Sequence, residues 1–262
     1  MKIALVDSGI GLLAAAAAVR RMRPDADLVL SSDPAGMPWG PRTPDDITAH
    51  ALACAEAAAA HDPDALIVAC NTASVHALPT LRAKLEPGLP VIGTVPAVKP
   101  AAGAGGPVAV WATPATTGSP YQSRLIAEFG QGAQITAVPC HGLADAVETA
   151  REDAIDVAVG AAAALTPPGV RSVVLGCTHY ELVGERIRTA VAQPGGPLPV
   201  LFGSAEAVAA QALRRSGHLP DPHAPGTGGL TVLSSGRTAA RLPEAAATYA
   251  EGRFLTAATL TP

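Results

Sequence analysis

The sequence predicts an α/β fold of two similar lobes, each a mainly parallel sheet flanked by helices, with an active site in the cleft between them. Short β-rich runs alternate with alanine-rich helical stretches, which is the pattern of βα units. The runs are apolar on both faces, as expected of strands that helices cover on each side. A strand-end cysteine followed by hydrogen-bonding residues occurs twice, in IVACNTAS (67–74) and VVLGCTHY (173–180).

Nine runs in chain order are interpreted as strands because each is β-rich and ends at a small or polar residue. They are KIALVD (2–7), DLVLSSD (27–33), ALIVAC (65–70), PVIGTV (90–95), PVAVWAT (107–113), AQITAVP (133–139), SVVLGC (172–177), PVLFGS (199–204) and GLTVLSS (229–235).

Helices are expected in the intervals between these runs. The second helix has a start signal, with Thr43 as N-cap, Pro44 at the first helical position and two aspartates in the first turn. The expected helices cover residues 11–22, 45–61, 77–85, 119–129, 143–165, 180–192, 204–216 and 238–250.

Two loops divide the chain into domains. PAVKPAAGAGGP (96–107) separates the first four strands from the rest, and PDPHAPGTGG (220–229) precedes the last strand. We expect a discontinuous first α/β domain, residues 1–96 with 205–262, and a second α/β domain, residues 97–204.

The composition excludes several classes of protein. With 48% hydrophobic and 15% charged residues, the chain is not disordered, and a net charge of −4 without a long basic run argues against a direct nucleic-acid partner. No apolar stretch reaches the roughly 18–20 residues of a membrane helix. MKIALVDSGIG meets Asp7 too early for a signal peptide, so we expect no membrane association and a cytoplasmic location.

The four cysteines are expected to be thiols, as in a reducing compartment. No CxxC and no Cys/His ligand spacing occurs, so no metal site is expected. No GxGxxG and no P-loop occurs, so no cofactor is expected. Cys54, in mid-helix among alanines, and the Cys140–His141 pair are interpreted as structural.

Polar residues collect at the carboxyl ends of the predicted strands, where parallel sheets bind ligands. These residues are Asp7, Ser8, Asp33, Cys70, Asn71, Thr72, Thr113, Cys177, Thr178 and His179, with Glu148 reached through the helix after the sixth strand.

Two facing thiols can invert a carbon that carries an acidic proton. One thiolate removes the Cα proton of an amino acid from one face, and the other thiol returns a proton to the opposite face. Cysteine suits both roles because its unperturbed pKa is about 8.5 and falls at a helix N-terminus. The motifs therefore place Cys70 and Cys177 as a base–acid pair, and the neighbouring N–H groups and hydroxyls as a carboxylate site.

At this point the residues resemble a known family, the cofactor-independent glutamate racemases of the aspartate/glutamate racemase superfamily. The matching stretches are DSGIG (7–11), PWG (38–40), ACNTAS (69–74), ATPATTGSPY (112–121), ADAVE (144–148), GCTHY (176–180) and LSSGRTAARLPEAA (233–246). The resemblance implies interconversion of L- and D-glutamate, which supplies D-glutamate for peptidoglycan, by a homodimer that binds glutamate between two α/β domains.

The resemblance also implies roles for single residues. Cys70 and Cys177 match the two catalytic acid/bases, Asp7 and His179 their assisting groups, and Asp33 and Glu148 further catalytic positions. The matches for substrate binding are Asp7, Ser8, Trp39, Gly40, Asn71, Thr72, Thr113, Thr116, Thr178 and His179.

Structural interpretations stand beside these roles. Asp7 and Asp33 are also typical of helix or loop caps, Glu148 of a helix surface, Trp39 of a core and His179 of a packed histidine.

Three departures from the family pattern keep other functions open. Leu12 replaces a glycine, Trp39 a tyrosine and Glu181 a proline. One alternative is a two-thiol racemase or epimerase of another amino acid or derivative, and one of a different class is a gyrase-binding moonlighting protein. No extension precedes KIALVD of the type seen in relatives activated by a cell-wall precursor, so we expect no such activation.

Overall fold

The computed structural model describes residues 1–257 and divides into two compact units. The first comprises Met1–Thr94 and the described residues from Ala205 onward; the second comprises Val95–Ser204. The last five residues of the expected first domain, 258–262, lie outside the described residues.

The first unit is built on a six-stranded sheet. Its strands are β1 (Lys2–Asp7), β2 (Asp27–Ser32), β3 (Ala65–Val68), β4 (Val91–Gly93), β9 (Leu230–Ser234) and β10 (Arg237–Ala239). The strand order is β10-β9-β2-β1-β3-β4, with every pair parallel except β9–β10. The strands β1, β2 and β3 are buried along nearly their whole length, as expected of a parallel sheet that helices cover on both faces.

Helices cover this sheet. They are α1 (Leu13–Met22), α2 (Pro44–Ala59), α3 (Asn71–His76), α4 (Leu78–Leu85), α11 (Ala205–Arg215) and α12 (Ala250–Ala257), with 3₁₀ turns at Ile10–Leu12 and Glu244–Thr248. Alanines of α2 pack with alternate residues of β1 and β3 in one core cluster. The predicted start of α2 is confirmed, since Thr43 Oγ1 accepts a 3.3 Å hydrogen bond from Asp46 N.

The second unit is built on a four-stranded parallel sheet. Its strands are β5 (Val108–Ala112), β6 (Ile135–Pro139), β7 (Ser172–Leu175) and β8 (Val200–Phe202), in the order β6-β5-β7-β8. Its helices are α5 (Val98–Gly103), α6 (Pro120–Phe129), α7 (Leu143–Glu148), α8 (Glu152–Leu165), α9 (Thr178–Glu181) and α10 (Gly184–Val191).

The two sheets repeat one strand order. In each unit the second strand lies beside the first, and the first beside the third and then the fourth: β2-β1-β3-β4 and β6-β5-β7-β8. The order reverses at the first strand, so the edge between the first and third strands is the switch point at which α/β sheets bind ligands. The two cysteine motifs follow the third strand of each sheet, β3 and β7.

Several predicted helices differ from the observed ones. The expected helix 143–165 is interrupted between α7 and α8, where Ala150 adopts a positive φ of 51°. The expected helix 180–192 is likewise two helices, α9 and α10. The expected loop 96–107 contains the short helix α5.

The expected helix 238–250 is wrong. Ser235 and Gly236 both adopt positive φ, 44° and 78°, and turn the chain back into the hairpin strand β10. Pro243 then precedes the second 3₁₀ turn, and the last helix begins only at Ala250. Two successive residues with positive φ form a turn that favours a β-hairpin over a helix. The alanines that follow in the sequence favour a helix, so they gave no sign of this turn.

Among residues 1–257 no helix combines the length and the apolar character needed to cross a membrane.

Candidate active site

Cys70 lies where β3 turns into α3. It is the N-cap of that helix, with φ −139° and ψ 121°, and it is 7% exposed. Its carbonyl oxygen accepts a 2.9 Å hydrogen bond from Ser74 N. The extended backbone that ends the strand therefore holds the thiol at the carboxyl edge of the sheet.

Hydrogen bonds from Ser74 and Thr94 stabilise this turn, and the sequence patterns did not indicate them. The Val68 carbonyl accepts from Thr94 Oγ1 at 2.7 Å and from Ser74 Oγ at 3.2 Å, and Ser74 Oγ accepts from Thr94 N at 2.8 Å. Thr94 follows β4, the neighbour of β3, so its place after a strand end was the one available signal.

Asp7 ends β1, next to β3, and is fully buried. Its Oδ1 accepts from Ser8 N at 2.7 Å, and Ser8 Oγ lies 3.4 Å from the same oxygen. The Asp7 carboxylate and the Cys70 thiol therefore belong to the ends of adjacent strands, one on each side of the switch point.

Asp33 follows β2 and organises the loop after it. Its Oδ1 accepts from Ser235 Oγ at 2.8 Å and from Gly36 N at 3.2 Å. Its Oδ2 lies 2.7 Å from His50 Nδ1 and accepts from Trp39 Nε1 at 3.3 Å. Burial opposes ionisation, but hydrogen bonds from Ser235, Trp39 and His50 outweigh it and lower the pKa of Asp33 below its usual value.

The Trp39 side chain is 1% exposed, and its indole N–H is donated to Asp33. It packs in the same core cluster as Cys70 and Val68. The backbone of Trp39 and Gly40 belongs to the loop between β2 and α2, and Arg42 fixes this loop through bonds to the Gly36 carbonyl at 2.7 Å and to Asp46 at 2.6 Å. The larger ring therefore acts in packing, and the loop backbone is the part that Asp33 positions.

Cys177 has the matching place in the second unit. It is the N-cap of α9 after β7, with φ −140° and ψ 135°, close to the angles of Cys70. It is more exposed than Cys70, which is buried. None of the four cysteines, all within the described range, forms a disulfide.

A histidine lies beside this thiol, and a carboxylate lies beside the histidine. His179 Nδ1 lies 3.9 Å from Cys177 Sγ, and His179 Nε2 lies 2.9 Å from Glu148 Oε2. His179 is 4% exposed, and Glu148 is the last residue of α7. The helix after the sixth strand thus places the Glu148 carboxylate beside His179.

Hydroxyl groups stand at the same edge of the second sheet. Thr113 follows β5, and its Oγ1 lies 3.1 Å from Thr116 Oγ1. Thr178 is the first residue of α9 and is buried. In the first unit Asn71 and Thr72 begin α3 in the same way, so each cysteine is followed by two residues with hydrogen-bonding side chains at a helix start.

The other cysteines sit in different surroundings. Burial raises the pKa of Cys54 to about 12, and burial together with nearby Cys177 raises the pKa of Cys140 to about 12. Both therefore stay protonated near neutral pH. Tyr180, buried beside Cys140, donates its hydroxyl to the Cys140 carbonyl at 3.4 Å, and burial raises the pKa of Tyr180 too.

The predicted site residues fall into two groups. The first unit brings Asp7, Ser8, Asp33, Trp39, Gly40, Cys70, Asn71 and Thr72 to strand ends and the loop after β2, and the second brings Thr113, Thr116, Glu148, Cys177, Thr178 and His179 to one sheet edge. Within the described part of the chain, no group of three or more His, Cys, Asp or Glu residues could hold a metal ion.

Comparison with known proteins decides the family. A profile described as Asp/Glu/Hydantoin racemase matches residues 12–217, which include both cysteine motifs.

The chain belongs to the Asp/Glu/Hydantoin racemase family.

Members of this family with curated descriptions include close relatives of the chain. The glutamate racemase of Roseiflexus sp. (strain RS-1) is 38% identical over 191 residues, 71% of this chain and 70% of the relative. That of Granulibacter bethesdensis is 39% identical over 222 residues, 81% of this chain and 77% of the relative. This chain is therefore an isomerase, as its relatives are.

Solved structures share the architecture. Escherichia coli glutamate racemase, in complex with L-glutamate and the activator UDP-MurNAc-ala, gives a TM-score of 0.79 at 27% identity, over 94% of this chain and 91% of that one. Glutamate racemase from Aquifex pyrophilus gives 0.66 at 29% identity, over 89% of each chain. The predicted α/β fold class, with two mainly parallel sheets, is confirmed.

Proposed function

We propose that this racemase interconverts L- and D-glutamate by a two-base transfer of the Cα proton, with Cys70 and Cys177 as the two groups. The observation that carries the proposal is the repetition of one local geometry: each thiol caps a short helix after the third strand of a sheet with the same strand order. The similarity to glutamate racemases supports glutamate as the substrate.

The reaction balances without an added reactant. In one direction a thiolate takes the Cα proton from one face of glutamate, and the electron pair stays on the carbanion. The thiol of the other cysteine then gives its proton to the opposite face, and the reverse direction exchanges the roles. The proposal requires one thiol at each face of the same Cα.

His179 is proposed to accept the proton of the Cys177 thiol and to return it. Its Nδ1 is near the sulfur, and its Nε2 is held by Glu148 at 2.9 Å, so a proton leaving the thiol has an oriented acceptor. Asp7 is proposed as the assisting group of the other thiol, because β1 and β3 are adjacent.

The remaining predicted residues are proposed to hold the substrate. Hydroxyl and amide side chains, together with backbone N–H groups at the two helix starts, suit the glutamate carboxylates. They are Ser8, Asn71, Thr72, Thr113, Thr116 and Thr178. Asp33 is proposed to act by holding the loop whose backbone at Trp39 and Gly40 contacts substrate.

A cytoplasmic homodimer that supplies D-glutamate for peptidoglycan is part of the proposal. Four cysteines without a disulfide suit a reducing compartment. The dimer follows the glutamate racemase resemblance, and sedimentation equilibrium at several protein concentrations tests it.

The deciding experiment is circular dichroism of L-glutamate incubated with chelator-treated protein and no pyridoxal phosphate. We expect the signal to decay to that of the racemate, and Cys70→Ser and Cys177→Ser each to abolish the decay. Cys54→Ala, which removes a core thiol from an alanine-rich helix, should retain it. Aspartate and other amino acids assayed in parallel test the substrate, and a faster rate with any of them would reassign it.

A further inference from the structure

Glu181 is the last residue of α9, four positions after Cys177. Its Oε1 accepts two hydrogen bonds of 2.8 Å, one from Ser204 N and one from Ser204 Oγ. Ser204 is 4% exposed and follows β8, the neighbour of β7. The Glu181 carboxylate thus joins α9, the helix that follows β7, to the residue that follows the end of β8.

The space at this contact is fitted to the carboxylate. A Cβ placed on Gly203 would come within 2.4 Å of Glu181 Oε2, so a side chain there would displace the acid. Ser204 is also the last residue of the second unit, and the chain continues from it directly into α11 of the first. The contact therefore joins the end of α9, the helix that begins after Cys177, to Ser204, the residue at which the chain leaves the second unit.

A four-residue helix needs such a contact because it is marginal by itself. Three consecutive side chains tie α9 to three other elements. His179 reaches Glu148 at the end of α7, Tyr180 reaches the Cys140 carbonyl after β6, and Glu181 reaches Ser204 after β8. Only the first of these ties includes a proposed proton-transfer group.

We propose that Glu181 is a positioning residue for Cys177, which acts by anchoring α9 to Ser204. The inference rests on the proposed function for its catalytic consequence, but its geometric part does not. A carboxylate oxygen with two donors locks the side chain, and the locked side chain limits the rotation of a helix that has a single turn.

The test isolates each thiol. Elimination of chloride from a β-chloro amino acid needs only one base: the thiolate takes the Cα proton, chloride leaves Cβ, and the enamine hydrolyses to a 2-oxo acid and ammonium. Cys70→Ser leaves the reaction to Cys177, and Cys177→Ser leaves it to Cys70. Glu181→Ala removes both hydrogen bonds from Ser204, and one hydrogen bond to a charge already corresponds to about tenfold. We therefore expect this change to slow 2-oxo acid release at least about tenfold in the Cys70→Ser background and to leave the Cys177→Ser background unchanged.

Conservative variants separate positioning from charge. Glu181→Gln keeps the acceptor oxygen for both Ser204 donors and should restore the rate. Gly203→Ala should reproduce part of the loss by displacing the carboxylate. Glu185→Ala, an exposed glutamate of α10, is the matched control and should have no effect. An equal loss in both backgrounds, or no loss in either, overturns the proposal.

A second readout needs no reaction. Amide hydrogen exchange of Glu181→Ala should rise at Ser204 and across Thr178–Glu181, and stay unchanged in α3 of the other unit. Unchanged exchange at Ser204 would overturn the anchoring even if both single-thiol proteins were inactive. The failure of the proposed function, seen as no elimination in either background, is thereby distinguished from the failure of this inference.

Discussion

At the scale of single residues, the orientation of His179 depends on Glu148. The imidazole has two ring nitrogens, and one is near the Cys177 sulfur only while the other is held by the carboxylate at 2.9 Å. In the proposed mechanism the carboxylate would also stabilise the positive charge that the ring carries after it takes the thiol proton. Of these three groups His179 is buried, whereas Cys177 and Glu148 are partly exposed.

Replacing Glu148 by glutamine should reduce kcat much more than it changes KM. The amide keeps the shape but not the charge, and losing a charge-assisted hydrogen bond is worth about 1.5–3 kcal/mol, or roughly ten- to a hundredfold in rate. Racemisation of L- and D-glutamate by circular dichroism measures it. Glu152→Gln, a surface change at the start of α8, is the control. A Glu148→Gln enzyme with wild-type kcat would remove Glu148 from the proton path.

Asp33 illustrates a residue whose role the sequence left open. A strand-end aspartate is equally typical of a cap and of a catalytic group, because both accept hydrogen bonds at that place. The structure gives it the capping bond to Gly36 N and three side-chain partners, the nearby Trp39 and the more distant His50 and Ser235. Two of these partners, His50 and Ser235, come from α2 and the end of β9, and no local pattern marks such long-range pairing.

The pKa of Asp33 predicts how stability depends on pH. Because the folded pKa is lowered, the carboxylate stabilises the fold above its unfolded pKa of about 3.9, and this contribution is lost as pH falls through that value toward the folded pKa. The free energy of unfolding lost in Asp33→Asn should therefore be largest above about pH 5 and shrink toward pH 3. Urea unfolding at several pH values measures it, with the exposed Asp45→Asn as control; a difference that grows toward acid would contradict it.

At the scale of elements, the strands were predictable and several helix ends were not. An apolar run bounded by polar residues is a local signal, and every predicted strand is present. The break after α7 depends on the positive φ of Ala150, a residue that by propensity favours helix. Helix α5 contains Lys99–Pro100 and ends in glycine, so its segment resembled a loop. Tertiary packing decides both cases.

The turn that replaced the expected last helix can be tested at Gly236. Its φ of 78° lies in the left-handed region, where a Cβ costs about 1–2 kcal/mol. Gly236→Ala should lower the free energy of unfolding by about that amount, because the β9–β10 hairpin keeps the turn fixed. Urea denaturation measures it. Gly226→Ala, in a loop where a Cβ meets no atom within 4 Å, should have little effect, and equal losses in the two variants would refute the role of φ.

At the scale of the whole molecule, the two units have the same strand order, and each unit carries one thiol in the same kind of local setting. Cys70 and Cys177 share backbone angles, position after the third strand and a following pair of hydrogen-bonding residues. The sequence predicted this because the motifs are local and follow apolar strands. The surroundings of the thiols differ: Cys177 has His179 beside it, whereas Cys70 lies in a core cluster with Trp39.

A pair of equivalent thiols should act on opposite faces of the same carbon. Cys70→Ser and Cys177→Ser should each lose racemisation, because inversion needs a base and an acid, yet each should still eliminate chloride from one enantiomer of a β-chloro amino acid. The two variants should prefer opposite enantiomers, since the remaining thiolate reaches only the Cα proton on its own face. Release of the 2-oxo acid from each pure enantiomer measures the preference, and the Cys54→Ala protein, which keeps Cys70 and Cys177, should accept both enantiomers. The same preference in both single variants would mean that the thiols share one face, and the two-base assignment would fail.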